Sequence, residues 1–240
     1  MTTKLTLIDH FAELRKRLII IFISTIGAAA LTYMHIDPII GILLKPADNI
    51  EFIYVSPPEL LLTYIRVSII LGVFFASPII LFQLWLFLSP ALKKKEQRYL
   101  LLALFVGILL FIVGAVFAYF IIIPLTLDFF VRLSAGQIDA MFSIANYISF
   151  IKSLILAFAL VFQLPLIIVL LSQLGLVTAK SLRKFRRYFL LIIIIVAALI
   201  TPPDIISQFL MAGPMIVLYE ISILISALID RRRKKKRKKK

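Results

Sequence analysis

Long uninterrupted apolar runs fill most of the chain, and its polar residues fall in short clusters between them. The runs read as helical spans over residues 18–34, 60–88, 99–123, 148–176, 188–200 and 205–229. None alternates with the period of two that a barrel strand needs, and a backbone in lipid must satisfy its own amides, so helices are the expected solution. Pro124 marks the expected stop of the third run, Gln163 and Pro165 lie near the middle of the fourth, and Pro202 and Pro203 force a turn after the fifth. The fifth run, of 13 residues, reaches about 20 Å against a hydrocarbon core of about 30 Å. Two readings stay open for it: a buried helix extended by its flanks, or a mismatch that thins the bilayer locally.

Ahead of the first run, Ile8, Phe11, Leu14 and Leu18 recur at helical spacing. Such a helix can lie along a membrane surface with its apolar face inward. The expected architecture is therefore an all-α polytopic membrane protein with six transmembrane helices. An amphipathic helix in residues 1–17 precedes the membrane domain, 18–229, and a basic tail, 230–240, follows it. No internal repeat, Gly/Ser linker or separate soluble domain interrupts this plan.

Composition agrees with the pattern: 62% of residues are hydrophobic and the mean hydropathy is +1.07, well above a soluble domain that is about half apolar. Charge decides orientation. Lys and Arg number four in residues 1–17, four in 89–98, five in 177–187 and ten in 231–240, placing 23 of the 27 on one side. The positive-inside rule makes that side cytoplasmic, with both termini in the cytoplasm of a cell-membrane protein. The net charge of +15 is thus topological, and the tail reads as an anchor for anionic headgroups rather than a nucleic-acid site. Tyr33, Tyr64, Tyr99, Tyr147 and Tyr188 lie near span ends, where aromatic anchors belong. Reading 4–34 as a cleaved secretory signal would need a site at Ala28–Ala30, but five further spans make an uncleaved anchor the natural reading. With no Cys there are no disulfides or thiolate sites, and His10 and His35 fall on opposite sides. No metal or other cofactor is expected.

Five motifs stand in order along this framework: LIDHFAELRKRL at 7–18, FLSPALKKKEQRYL at 87–100, GAVFAYFIIIPLTLDFF at 114–130, FQLPLIIVLL at 162–171 and ITPPDIISQFLMAGPMIVLYEI at 200–221. Together they resemble the TatC family, the twin-arginine signal receptors of the Tat protein translocase, over about residues 5–230. The resemblance implies a receptor and core subunit that binds twin-arginine signal peptides of folded precursors. It also implies assembly with TatA-type single-span partners, with a possible TatB partner, and homo-oligomers within the complex. Carried onto this chain, it makes Glu13 and Glu96 the acids that read the arginine pair. Arg15 and Arg17 form the basic part of the first signature, and Pro46, Phe87 and Asp204 fall on marked positions. Gln163 stands where the family commonly has Glu, which removes an ionised carboxylate from that depth.

The residues themselves allow two readings at each point. A carboxylate at headgroup depth accepts a bidentate guanidinium pair that Lys cannot reproduce, so Glu13 and Glu96 make a sink for two arginines. Glu13 and Arg17 are also four apart in the favourable order for a helix pair, and Glu96 sits among Lys93, Lys94, Lys95 and Arg98, whose charge it tempers. Gln163 beside Pro165 is either interhelical glue or a docking point for a partner. Glu220 in the last span has a functional and a structural reading. A small-solute secondary transporter is the alternative function, but it calls for two repeated halves with broken helices. An intramembrane hydrolase would need a His near Ser68, Ser77, Ser153 or Ser172, and no nucleotide loop occurs, so an enzyme is not expected.

Single cysteines introduced into this Cys-free chain test the orientation. Residues 35–59 and 124–147 should react with an impermeant thiol reagent in intact cells, and 89–98 and 177–187 should not. The reverse labelling overturns the topology.

Overall fold

The computed structural model describes residues 7–48, 50–53, 56–89, 94–133, 142–200 and 205–237. They form α1 Leu7–Met34, α2 Ile36–Leu44, a 3₁₀ turn Lys45–Ala47, β1 Phe52–Ile53, α3 Pro57–Leu88 and α4 Lys94–Phe117. Beyond these lie a π-helical turn Ala118–Ile122, α5 Ile123–Leu133, β2 Phe142–Ser143, α6 Ile144–Val161, α7 Leu164–Leu174, α8 Ala179–Lys184, α9 Arg186–Ile200 and α10 Ile205–Arg237. The protein is an all-helical polytopic membrane protein, with one two-stranded ladder of β1 and β2.

Among the described residues, five helical stretches are long and apolar enough to cross a membrane: Phe11–Met34, Pro57–Phe87, Leu101–Arg132, Ile144–Gln173 and Met211–Arg231. The shorter apolar helix α9 has 15 residues and a reach of about 22 Å. Several boundaries differ from the sequence reading. Residues 7–17 are the first turns of α1, continuous with the first span rather than a separate surface helix. Pro124 does not stop the third helix. The turn before it widens, with the Ile123 N–H donating to the Ala118 carbonyl five residues back, and a π turn absorbs the missing proline donor without ending the helix. The segment after α1, read as a loop, contains α2, whose Ile36 and Ile40 are buried.

Two compact units account for these elements and are described separately: Met1–Lys45 with Phe52–Ile108 and Ser143–Ile148, and Pro46–Glu51 with Leu109–Phe142 and Ser149–Lys240. The first unit is organised by the antiparallel pairing of α1 with α3. Thr63, Val67, Gly72, Ala76 and Gln83 form a buried, mostly small-residue stripe along α3. Small residues let helix backbones approach in lipid, where burial of apolar surface supplies no drive. A methyl group at Gly72 would lie 2.7 Å from the Ala29 backbone. The Thr32, Thr63 and Ser68 hydroxyls donate to the carbonyls of Ala28, Glu59 and Tyr64 one turn back, so the seam buries no open polar group at these positions.

The other end of this unit is tied by Glu59. Its carboxylate accepts from the Ser56 N–H at 3.2 Å, from the Ser143 hydroxyl at 2.5 Å and from the Ala145 N–H at 3.4 Å. One side chain therefore serves the first turns of both α3 and α6, where backbone donors lack helical acceptors. Tyr147 stacks on Phe52 with centroids 4.7 Å apart and donates to the Leu43 carbonyl at 3.1 Å.

In the second unit Gly114 meets the Phe158 carbonyl and Ala159, and Phe117 packs against Phe158 and Phe162. α10 lies against α7, α8 and α9. It is fastened by a buried Ser172–Ser226 hydroxyl pair at 2.7 Å, by Tyr219 donating to the Leu182 carbonyl, and by Asp230 accepting from the Ala179 N–H at 2.9 Å. Interhelical hydrogen bonds of this kind contribute about 1 kcal/mol each in a membrane.

Gly72→Ala should destabilise the first unit by about 1–3 kcal/mol, the usual cost of overpacking, because the obstructing atoms are backbone. Gly27→Ala, whose new methyl meets nothing within 4 Å, should be neutral or slightly stabilising. Thermal unfolding of the two variants in detergent makes the comparison, and equal shifts would contradict the close α1–α3 seam.

Candidate functional site

Antiparallel packing brings the first turns of α1 beside the last turns of α3. Glu13 and Arg17 lie one helical turn apart on α1 and form an ion pair, Arg17 Nη2 to Glu13 Oε1 at 2.8 Å. The other terminal nitrogen, Nη1, donates to Gln83 Oε1 on α3 at 3.0 Å, a contact spanning 66 positions of sequence. Glu13 and Arg17 are 23% and 21% exposed, so their pair is better shielded than an ordinary surface pair, worth about 0–1 kcal/mol. Arg17 Nε is buried and has no partner among the described residues. The guanidinium thus spends one nitrogen on an acid and one on a neutral amide.

Arg15 departs to another flank of α1, beside the exposed apolar side chains of Leu18, Ile19 and Phe22. The structure accordingly separates the two signature arginines: Arg17 enters the α1–α3 seam and Arg15 stays exposed. Phe87 is half-buried one turn beyond Gln83, on the same face of α3. Glu96 occupies the first turn of α4, where a negative charge suits the helix dipole, but its side chain lies outside the described residues. Its neighbour Gln97 donates to the Ser89 carbonyl at 2.8 Å, tying the start of α4 back to the end of α3.

Gln163 and Pro165 sit at a break between α6 and α7. Pro165 is buried, falls at the start of α7 and has no N–H to offer the Val161 carbonyl. The chain makes one tight turn, Gln163 N–H to the Leu160 carbonyl at 3.0 Å, before helical bonding resumes from Ile167 to Gln163. The Gln163 amide reaches toward the Ala159 carbonyl at 3.5 Å. Pro46 lies in the 3₁₀ turn that ends α2. Asp204 lies outside the described residues.

A family model described as Sec-independent protein translocase protein (TatC) matches residues 9–214. The chain belongs to the TatC family. It is 37% identical over 221 residues to the TatC of Desulforapulum autotrophicum, covering 90% of this chain and 82% of that protein. To the TatC of Aquifex aeolicus it is 39% identical over 228 residues, covering 92% and 95%. A solved structure, the crystal structure of the twin arginine translocase receptor TatC, superposes with a TM-score of 0.79 at 39% identity. It covers 92% of this chain and 99% of that one. This TatC family member is a protein translocase subunit and not an enzyme, which sets aside the small-solute transporter and hydrolase alternatives.

Three polar residues of this TatC family member escaped the sequence reading. Gln83 carried a signal, being a lone amide inside the apolar run PIILFQLWLFL. Glu59 was visible as the fourth residue of Ser-Pro-Pro-Glu, a capping-box spacing before an apolar run. Arg186, which forms an ion pair with Glu220 at 2.6 Å, carried none, because only packing of α9 on α10 brings residues 34 positions apart together.

Gln163→Glu should retain export of a twin-arginine reporter, since a protonated carboxyl can replace the amide donor. Gln163→Leu should impair export while still inserting into the membrane. Reporter export against membrane level decides, and a fully active Leu variant would leave Gln163 with a packing role alone.

Proposed function

We propose that this chain is the receptor and core subunit of a twin-arginine translocase, binding the signal peptides of folded precursors with Glu13 and Glu96. The observation that carries the reading is the Glu13 carboxylate, which holds a guanidinium at 2.8 Å at the open end of the α1–α3 seam. The same oxygen chemistry suits an arginine supplied by a ligand. The basic asymmetry of the chain supports cytoplasmic termini, which put Glu13 and Glu96 on the face where a precursor arrives. Bulk attraction offers no rival account, because a surface with this excess of Lys and Arg repels a cationic signal. The family resemblance assigns Arg15, Arg17 and Phe87 to the same recognition region, and of these Arg17 contacts Glu13 directly.

The break at Gln163 and Pro165 is a polar point on an apolar helix and serves docking of a TatA-type single-span partner. A TatB-like partner and further copies of this chain complete the assembly. Pro46 and Asp204 are assigned to the outer face, Pro46 in the turn that ends α2.

A double-mutant cycle tests the recognition step. Glu13→Gln or Glu96→Gln, crossed with Arg-Arg→Lys-Lys in a precursor, is read out as precursor binding. A hydrogen bond to a charged group contributes about 1.5–3 kcal/mol, so each lesion should weaken binding by roughly ten- to a hundredfold, and the pair should be non-additive. Additive losses, or wild-type binding by the Glu13→Gln/Glu96→Gln variant, would move the arginine site elsewhere.

A further inference from the structure

Glu13 is already occupied in this structure by the chain's own Arg17. A second guanidinium arriving at the same carboxylate would bring two like charges within a few ångströms in a half-buried place, which is unfavourable. Either the ligand fails to bind or Arg17 gives way. Gln83 supplies the means to give way. It is on a different helix, nearly buried, and already holds Arg17 Nη1 at 3.0 Å. Arg17 is therefore held by two acceptors through two nitrogens, and loss of the acidic one leaves it partnered instead of stranded.

We propose that Gln83 is a positioning residue for signal recognition: it retains Arg17 when a ligand guanidinium takes over Glu13. Arg17 is then a resident competitor that keeps the receptor closed to weak cations. The inference rests on the receptor reading of Glu13 given above. The residue types fit the task. A neutral amide holds a guanidinium less strongly than a carboxylate does, so Arg17 prefers Glu13 until that acid is claimed. An acid at position 83 would draw Arg17 away permanently, and an apolar residue would leave a half-buried cation with no neutral acceptor at the moment of exchange. Lysine, lacking the planar fork, exchanges poorly against a guanidinium already in place.

The experiment uses the full chain in lipid nanodiscs and a synthetic signal peptide carrying the arginine pair, with affinity read by fluorescence anisotropy. Gln83→Met, nearly isosteric and uncharged, should weaken binding by about tenfold, the worth of a hydrogen bond to a charged group. Arg17→Gln should tighten binding, and the Gln83→Met/Arg17→Gln double variant should bind as Arg17→Gln alone does. In a Glu13→Gln background the Arg17→Gln gain should vanish; a gain of the same size there would mean that only the general field changed, and would overturn the proposal. So would a tenfold loss by Gln83→Met that persists without Arg17, since that is the signature of a packing role. If the Met variant does not insert, Gln83→Glu carries the same test with the opposite sign: tighter binding with Arg17 present and no gain in Arg17→Gln. Unchanged binding by Glu13→Gln alone defeats the receptor reading itself. Loss with Glu13→Gln but none with Gln83→Met defeats only the inference about Gln83.

Discussion

A backbone amide in hydrocarbon has no water to bond, and leaving it open costs several kcal/mol. That constraint explains both the regular and the irregular parts of this chain. It forces long helices across the apolar runs, and it makes a departure from regularity find a new partner for the carbonyl it frees. Where Pro124 removes a donor, the helix widens into a π turn and carries on. Where Pro165 does the same, the chain makes a single tight turn and the Gln163 amide leans on a carbonyl of the preceding helix. Hydroxyls in the spans follow the same logic, bonding to the carbonyl one turn back or, at Ser172 and Ser226, to each other.

Association between helices then depends on fit, because lipid tails are as apolar as the side chains. The first unit achieves it with a glycine and other small residues, which draw α3 onto α1 at Gly72 and Ala29. That close approach has a chemical consequence eleven positions further along α3. It sets Gln83 within hydrogen-bond reach of Arg17, and so gives one guanidinium both a charged and a neutral acceptor. At the opposite end, Glu59 joins the first turns of two helices through one carboxylate. Polar contacts at both ends of α3, to α1 through Gln83 and to α6 through Glu59, hold that helix in register with its neighbours.

Recognition of an arginine by a receptor that is itself rich in arginine is at first sight a contradiction. The proposed exchange at Glu13 removes it. Arg15 and Arg17 leave α1 in different directions, and only Arg17 enters the seam, where its charge is already balanced by Glu13. On the proposed reading, a basic surface whose acid is masked by its own cation discriminates by exchange rather than by net attraction. Exchange of like for like favours the ligand whose shape matches the occupant.

The sequence by itself determined that the chain is helical and membrane-embedded, which apolar runs form its helices and which residues carry charge near their ends. Hydrophobic run length and proline spacing are local properties, and the hydrocarbon constraint acts on each span separately. Motif order was legible too, which is why Glu13, Glu96 and Gln163 could be named before any packing was known. The pairing of Glu13 with Arg17 was foreseen because both lie on one helix, four positions apart. Only the tertiary structure decided what completes that pair. Gln83 is 66 positions away, and no periodicity in α1 or α3 states which face of one helix meets the other. The same holds for Glu59 with Ser143 and for Ser172 with Ser226. Continuation of the third helix past Pro124 was also decided there, because a proline stops or merely widens a helix according to whether the surrounding structure supplies a partner for the freed carbonyl.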